Sequence, residues 1–263
     1  MAKQYRALTR LMSSQATFEP VSAKTQPVSG HTTCQIPDIE NSCSRDSSRK
    51  TPPRWEAPDF PHDLPERDRV ALTREVYGRL IAKLDIAPAK GAPLHFRVAA
   101  RVFPGLIISS HSRSPVILKR TREFLADGND DVVLAVSRTP GNLVSHVGRE
   151  LVTGVGDTIL FSSADVTVIN AVSTQQALSI ALRRRLLASM VPGLEDRFLR
   201  PVPSDSEVLR LLTSYVGVIE DQQKLTTAEL RQLVVSHVYD LVALALGASR
   251  DAAEIRRHPN RCR

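Results

Sequence analysis

The sequence predicts an α+β protein: an antiparallel β-sandwich or barrel, preceded by one helix and followed by an antiparallel helical hairpin. Three observations predict it. Between about residues 94 and 182, short apolar runs are cut every ten to fifteen residues by Gly, Pro, Asp and Asn, the punctuation of an all-β unit. On either side of that stretch the apolar period changes to three and four, the spacing of amphipathic helices. Before it, residues 13–58 are rich in Ser, Thr, Pro and Gln and show neither period.

In chain order, residues 1–57 read as a disordered leader, because so polar a segment cannot offset its ordering entropy by burial. The first helix starts after Pro65, where Val70, Val76, Tyr77, Leu80, Ile81 and Leu84 recur on one face, and Pro88 closes it. Strands are expected at Leu106–Ser109, Val116–Lys119, Val132–Ser137, Leu143–Val147, Thr158–Ser162 and Val166–Val172. All five residues from Val132 to Val136 are apolar, so that strand is expected to be central and covered on both faces. Arg183-Arg184-Arg185 reads as the polar start of a short helix. Ser204 with Glu207, and Thr226 with Glu229, form capping-box patterns ahead of two helices, and Gly247 stands where a left-handed cap belongs. This divides the chain into a leader (1–57), a β-barrel domain (58–202), a helical segment (203–250) and a disordered tail (251–263).

The charge distribution argues against a nucleic-acid surface on the body. The chain carries 35 Lys and Arg against 28 Asp and Glu, but residues 1–55 hold 8 basic and 4 acidic residues and residues 256–263 hold 4 Arg and no acid. The intervening 23 bases and 24 acids nearly cancel, so the basic character belongs to the ends. Cys34, Cys43 and Cys262 form no CxxC pair or disulfide framework, which points to a reducing cytoplasm. No apolar run has the length of a signal peptide or a membrane span.

Candidate chemistry is sparse. A metal-binding cupin needs a His-x-His pair followed by Glu; the nearest stretch runs from Gly141 through His146, Val147, Gly148 and Glu150 to Gly156, with Gly148 in the second histidine's place. His146 with a displaced Glu150 does not supply the three or four converging ligands a transition metal requires, and His95 and His111 are read as packed or surface histidines. Ser109-Ser110-His111-Ser112 and Ser162-Ser163-Ala164-Asp165 lack the strand–turn–helix elbow of a hydrolase. Gly154 and Gly156 are not followed by a helix and read as a turn rather than a phosphate loop. No catalytic, metal or cofactor residue is assigned.

Several segments, in order, resemble the AraC-binding-like sensor domain of AraC/XylS-type transcription regulators. They are Arg74-Glu75-Val76-Tyr77-Gly78-Arg79, Phe103-Pro104-Gly105-Leu106, Arg120-Thr121-Arg122 with Asp127-Gly128-Asn129-Asp130, Gly148-Arg149-Glu150, Gly156-Asp157, Arg210-Leu211-Leu212 with Tyr215, and His237 with Asp240-Leu241. The resemblance runs from about Pro61 to Ala253. It implies a cupin-like jelly-roll that binds an unidentified small effector without catalysis, followed by helices that form a homodimer. On that basis Leu211, Leu212, Tyr215, Leu230, Leu233 and Val234 are candidate dimer contacts, while Asp127, Gly128, Gly148, Gly156 and Asp157 are turn formers rather than ligand contacts. DNA enters as a partner through the resemblance alone, because the helix-turn-helix half expected after Ile255 is replaced by Arg256-Arg257-His258-Pro259-Asn260-Arg261-Cys262-Arg263, the pattern of a truncation. The alternatives are a small cupin enzyme, with or without a metal, and an inactive truncated product. Without strand register the residues facing the barrel interior are open, since a one-residue slip exchanges the two faces.

Overall fold

A computed structural model describes residues 54–56, 65–89, 93–221, 225 and 227–247. The leader up to residue 53 and the tail after residue 247 therefore lie outside the described residues, and so does the expected absence of a DNA-reading unit.

Eleven strands form two sheets that face each other as a cupin-like jelly-roll. They are β1 (Arg54–Glu56), β2 (Asp85–Pro88), β3 (Phe96–Phe103), β4 (Leu106–Arg113), β5 (Val116–Arg120), β6 (Val132–Ser137), β7 (Asn142–His146), β8 (Arg149–Thr153), β9 (Thr158–Ser162), β10 (Thr167–Ala171) and β11 (Gln175–Leu182). One sheet has the order β1-β3-β4-β11-β6-β9 and the other β2-β5-β10-β7-β8. Helix α1 (Glu66–Leu80) precedes the barrel; α2 (Arg184–Met190), α3 (Glu207–Asp221) and α4 (Ala228–Ala245) follow it.

The six strand positions read from apolar runs all recur as strands, with ends shifted by a few residues. Strands β2, β3, β8 and β11 were not individually legible. In three of these strands polar residues break the apolar runs: Arg97 and Arg101 in β3, Arg149, Glu150 and Thr153 in β8, and Gln175, Gln176 and Ser179 in β11. Strand β1 falls within the segment expected to be leader: the backbone of Arg54–Glu56 pairs antiparallel with β3, Arg54 opposite Arg101.

Strand β6, inside the six-stranded sheet, is covered on both faces, which is why its sequence is continuously apolar. Val132, Leu134 and Val136 point to the helices, while Val133, Ala135 and Ser137 point to the space between the sheets. On the helix side, Ile108, Leu160, Leu178, Ile180 and Leu182 join Leu209, Leu212, Val216 and Ile219 of α3 and Val234, Val238, Tyr239 and Val242 of α4 in one core. Each such side chain contributes about 1.5–3 kcal/mol of transfer free energy, so hairpin and sheet stabilise each other. Tyr239 fastens the seam: its hydroxyl donates to the Gly105 carbonyl (2.6 Å) and accepts from the Arg183 amide (2.8 Å). Beyond α2, the chain bridges to the outer edge of β9 through Phe198 and Val202, so this edge is not left open.

The helix starts differ slightly from the capping-box reading. Helix α3 begins at Glu207, with Ser206 accepting from the Leu209 amide (3.4 Å), two residues beyond Ser204; in α4 the cap is Thr227, which accepts from Leu230 (3.1 Å). In both helices a nearby hydroxyl makes the cap hydrogen bond in place of the expected one. Gly247 does adopt the left-handed conformation (φ 83°). The Arg cluster does open a helix: α2 starts at Arg184, with Arg183 paired to Asp131 and Arg184 to Glu195. Among the described residues, no helix is long and apolar enough to cross a membrane.

Candidate functional site

Between the sheets lies a cavity enclosing about 760 Å³ of empty space, open solvent at its mouth included. Its apolar wall comes from both sheets: Val133, Ala135, Ile159, Phe161 and Ala177 from one, Leu118, Val144 and Ile169 from the other. The end of α1 and the segment after it complete the wall with Tyr77, Ile81, Ala82 and Leu84. Helix α1 is held there because Thr73, Val76, Tyr77 and Leu80 recur at helical spacing and are all buried.

Strand β4 carries two of the cavity's polar groups. Leu106 and Ile108 face the helices, and in the opposite phase His111 and Arg113 face the cavity. Arg113 is only 5% exposed. Its Nη1 donates to the Tyr77 hydroxyl (3.1 Å) and to His111 Nε2 (3.0 Å), and its Nη2 donates to Asn142 Oδ1 (3.4 Å). Asn142 in turn donates to Gln175 Oε1 (2.8 Å), and Gln175 is anchored by donating to the Pro140 carbonyl (2.9 Å). Because a guanidinium only donates, His111 must accept at Nε2 and carries its proton on Nδ1. Burial, reinforced by the positive charges of Arg113 and Arg138, pushes the His111 pKa down to about 3, so the imidazole is neutral near pH 7. Three buried polar atoms of cavity-lining residues have no partner among the described residues: His111 Nδ1, Arg113 Nε and Thr153 Oγ1.

A second arginine, Arg120 on β5, also lines the cavity and is handled differently. Its guanidinium pairs with Asp127 through Nη1 (3.1 Å) and Nη2 (2.7 Å), and donates to the carbonyls of Lys83 and Ser163. The hydrogen bond from Arg120 holds the Asp127 carboxyl below the usual carboxylate range. Asp127 is thus more than a turn former: it neutralises a buried cation while also capping its own turn through the Asn129 amide (2.9 Å). The other family-motif positions are turn residues in the structure: Gly128, Gly148 and Gly156 have positive φ, and Asp157 accepts from the Gly154 amide (2.6 Å).

The turn also explains the departure from a His-x-His motif. His146 pairs with Arg149 across a two-residue hairpin in which Val147 (φ 48°) and Gly148 (φ 72°) are both left-handed, so a glycine stands where a second histidine would be needed. His146 itself is engaged at both nitrogens. Nε2 accepts from the Ser162 amide (3.4 Å) and Nδ1 meets Thr167 Oγ1 (2.7 Å), with burial lowering its pKa. His111 and His146 stand on different sheets and His95 on the segment leading into β3. Among the described residues, no three His, Cys, Asp or Glu side chains form a metal-binding group. The two serine clusters serve the framework: Ser110 donates to Glu220 of α3 (2.6 Å), and Ser162 accepts from Arg184 (2.9 Å) and from the Ala164 amide (3.0 Å).

The six candidate dimer residues separate into two sets. Leu212 (0% exposed) and Val234 (3%) are part of the core under the helices and are not available to a partner, which corrects their assignment. Leu211 (58%), Leu233 (48%) and Leu230 are exposed, joined on α3 by Val218. Tyr215 is half-buried and its hydroxyl lies 3.1 Å from His237 Nδ1, joining α3 to α4. The apolar stripe of α3 covers more than one face, and only packing tells which part of it is inside.

The cavity residues Tyr77, His111, Arg113, Asn142 and Thr153 were not legible as a site. One signal was present: His111 and Arg113 stand two apart on β4, so one face of a strand carries both.

No protein-family model and no curated protein sequence matches the chain. Among solved structures, an AraC-like transcriptional activator, CuxR, superposes with a TM-score of 0.63 over 79% of this chain and 79% of its own, at 17% sequence identity. A cupin superfamily protein from Desulfitobacterium hafniense DCB-2 aligns over 36% of this chain and 82% of its own, with a TM-score of 0.29 and 10% identity. A predicted oxalate decarboxylase from Thermotoga maritima aligns over 39% and 93%, with a TM-score of 0.29 and 8% identity. The chain shares the fold of the AraC-like activator, the cupin-like barrel with flanking helices that the sequence resemblance implies.

Proposed function

We propose that this chain is the effector-sensing module of an AraC-like transcription regulator, non-catalytic, which takes a small molecule into the barrel and conveys its presence through α3 and α4 to a second copy. One observation supports this above all: a single strand, β4, carries both His111 and Arg113 of the cavity wall and a link to the helices. His111 and Arg113 face inward, and Ser110 between them and the helix side donates to Glu220 at the end of α3 (2.6 Å). Arg101 on the neighbouring strand β3 donates to the Glu220 backbone carbonyl (3.1 Å), a second tie at the same point. A ligand that shifts β4 therefore acts directly on α3, through two packed elements rather than a diffuse path. The concave, largely apolar pocket with a few converging polar groups is suited to a small organic ligand.

The helical hairpin supports the second half of the proposal. Leu211 and Val218 on α3 and Leu230 and Leu233 on α4 expose apolar surface that neither helix buries internally. Self-association through these residues places the readout one helix away from the cavity. The test is a thermal-shift screen of small metabolites on the purified full chain, combined with light scattering in the presence of each stabilising compound. The reading requires a compound that raises the melting temperature and loses that effect when Ala177→Phe fills the cavity; a dimer insensitive to every binder rejects the coupling.

A further inference from the structure

The two arginines that line the cavity are in opposite states. Arg120 has its own carboxylate, Asp127, and every nitrogen of its guanidinium is engaged. Arg113 is equally buried, yet among the described residues its acceptors are a tyrosine hydroxyl, a neutral imidazole and an amide, none of them charged. A guanidinium does not lose its proton at any ordinary pH, so the cavity holds one cation that no described side chain neutralises. Desolvating a charge without a counter-ion is costly, and in a binding site the cost is recovered when the ligand supplies the opposite charge.

The donors left over define the shape of that charge. Of the five guanidinium N–H groups, the two on Nη1 are taken and one on Nη2 is used at 3.4 Å; the remaining Nη2 hydrogen and the Nε–H, which has no acceptor, belong to neighbouring nitrogens. Two adjacent N–H groups are the fork that holds a carboxylate in parallel hydrogen bonds. His111 Nδ1–H is a third donor without an acceptor, on the imidazole that Arg113 touches. The rest of the wall is apolar, with Phe161, Val133, Ile159 and Ile169 prominent.

Resting on the effector-sensing reading of this same cavity, we propose that the ligand is a small monocarboxylate with an apolar body, its carboxylate held by Arg113 and His111 and its hydrocarbon part seated against the Phe161 wall. One uncompensated cation matches a single negative charge. The carboxylate completes the hydrogen bonding of Arg113, and because Arg113 also donates to Tyr77, ligand occupancy bears on the position of α1 as well as β4.

The test is titration calorimetry on the full chain with hexanoate, hexanol and hexylamine, three probes of one length and different head charge. Hexanoate binds saturably and at least tenfold more tightly than hexanol, and hexylamine does not bind. Arg113→Met weakens hexanoate on the order of a hundredfold, the worth of a bidentate charge-assisted pair, and leaves hexanol unchanged. Near-UV circular dichroism verifies that the variant folds; if it does not, the comparison of the three probes on the native chain decides by itself. Hexanol binding as tightly as hexanoate, or hexanoate unaffected by a folded Arg113→Met, overturns the carboxylate assignment and leaves the sensing cavity standing. Failure of all three probes, with benzoate also silent, overturns the carboxylate assignment, and an empty metabolite screen in addition removes the sensing reading itself.

Discussion

Nη1 of Arg113 lies 3.0 Å from Nε2 of His111, inside the barrel and away from bulk water. The contact is a hydrogen bond only while the imidazole is neutral; a proton on Nε2 would set two donors and two positive charges against each other.

That relationship makes stability depend on pH. The folded-state pKa of His111, about 3, lies below the ordinary value of 6.5, so in this window the unfolded chain binds more protons than the folded one. Stability is therefore full above about pH 6.5 and falls as the pH drops toward 3, with a limiting slope of roughly 1.4 kcal/mol per pH unit for one such group. His146 is lowered by burial and adds in the same direction. Urea melts between pH 7 and 4 are expected to show this decline and a shallower one in His111→Gln; equal slopes would exclude His111 as the source.

Arg120 and Arg113 predict unequal consequences of removing a charge. Arg120 is buried and the carboxylate of Asp127 rests on it from an exposed turn, so Asp127→Ala leaves an uncompensated buried cation and is expected to cost about 3 kcal/mol. Arg113→Met removes a cation that has no carboxylate, which offsets part of the cost of leaving the buried His111 and Asn142 acceptors without a donor; its cost is expected to be smaller, under about 3 kcal/mol. Denaturant midpoints of the two variants check the order.

On the last two helices, neighbouring leucines separate stability from association. Leu212→Ala opens the core under α3 and is expected to cost about 2–5 kcal/mol without a specific effect on self-association. Leu211→Asp and Leu233→Asp change exposed positions, are expected to alter stability by less than about 0.5 kcal/mol, and convert a dimer to a monomer in light scattering. A monomeric native chain at micromolar concentration, unchanged by either Asp variant, rejects the helix-mediated dimer.

Val147 is a β-branched residue held at φ 48° at an exposed position. Asn is the favoured residue at the first central position of such a turn, and relieving the strain is expected to stabilise by roughly 1 kcal/mol. A thermal midpoint of Val147→Asn no higher than that of the native chain would show that the turn stores no strain. Binding of any effector should be unaffected, because Val147 does not line the cavity.

Whatever depends on neighbours along the chain could be read from the sequence. The run from Val132 to Val136 is apolar in both phases and is buried on both faces; the residues after Pro65 have helical period and form α1; Gly128, Gly148 and Gly156 punctuate the strands because turns demand a left-handed residue there. The architecture of helix, barrel and hairpin followed from where the period changes from 3.6 to 2 and back. Strands β3 and β11 escaped because Arg97 and Arg101 interrupt the one, and Gln175, Gln176 and Ser179 the other, leaving no continuous apolar run to reveal them.

Only the tertiary structure decided the site. His111 and Arg113 share one face of β4, but Tyr77 of α1 and Asn142 of β7 reach them only through packing. Tertiary pairing likewise gave Arg120 its Asp127 and left Arg113 without a carboxylate, although the two arginines look alike in the chain. It also divided the leucines of α3, turning Leu212 inward and Leu211 outward from a stripe too broad to assign. Local sequence determines periodicity, and periodicity determines elements; register and packing determine which face is inside, and a charge in a cavity acquires its meaning from which partners reach it.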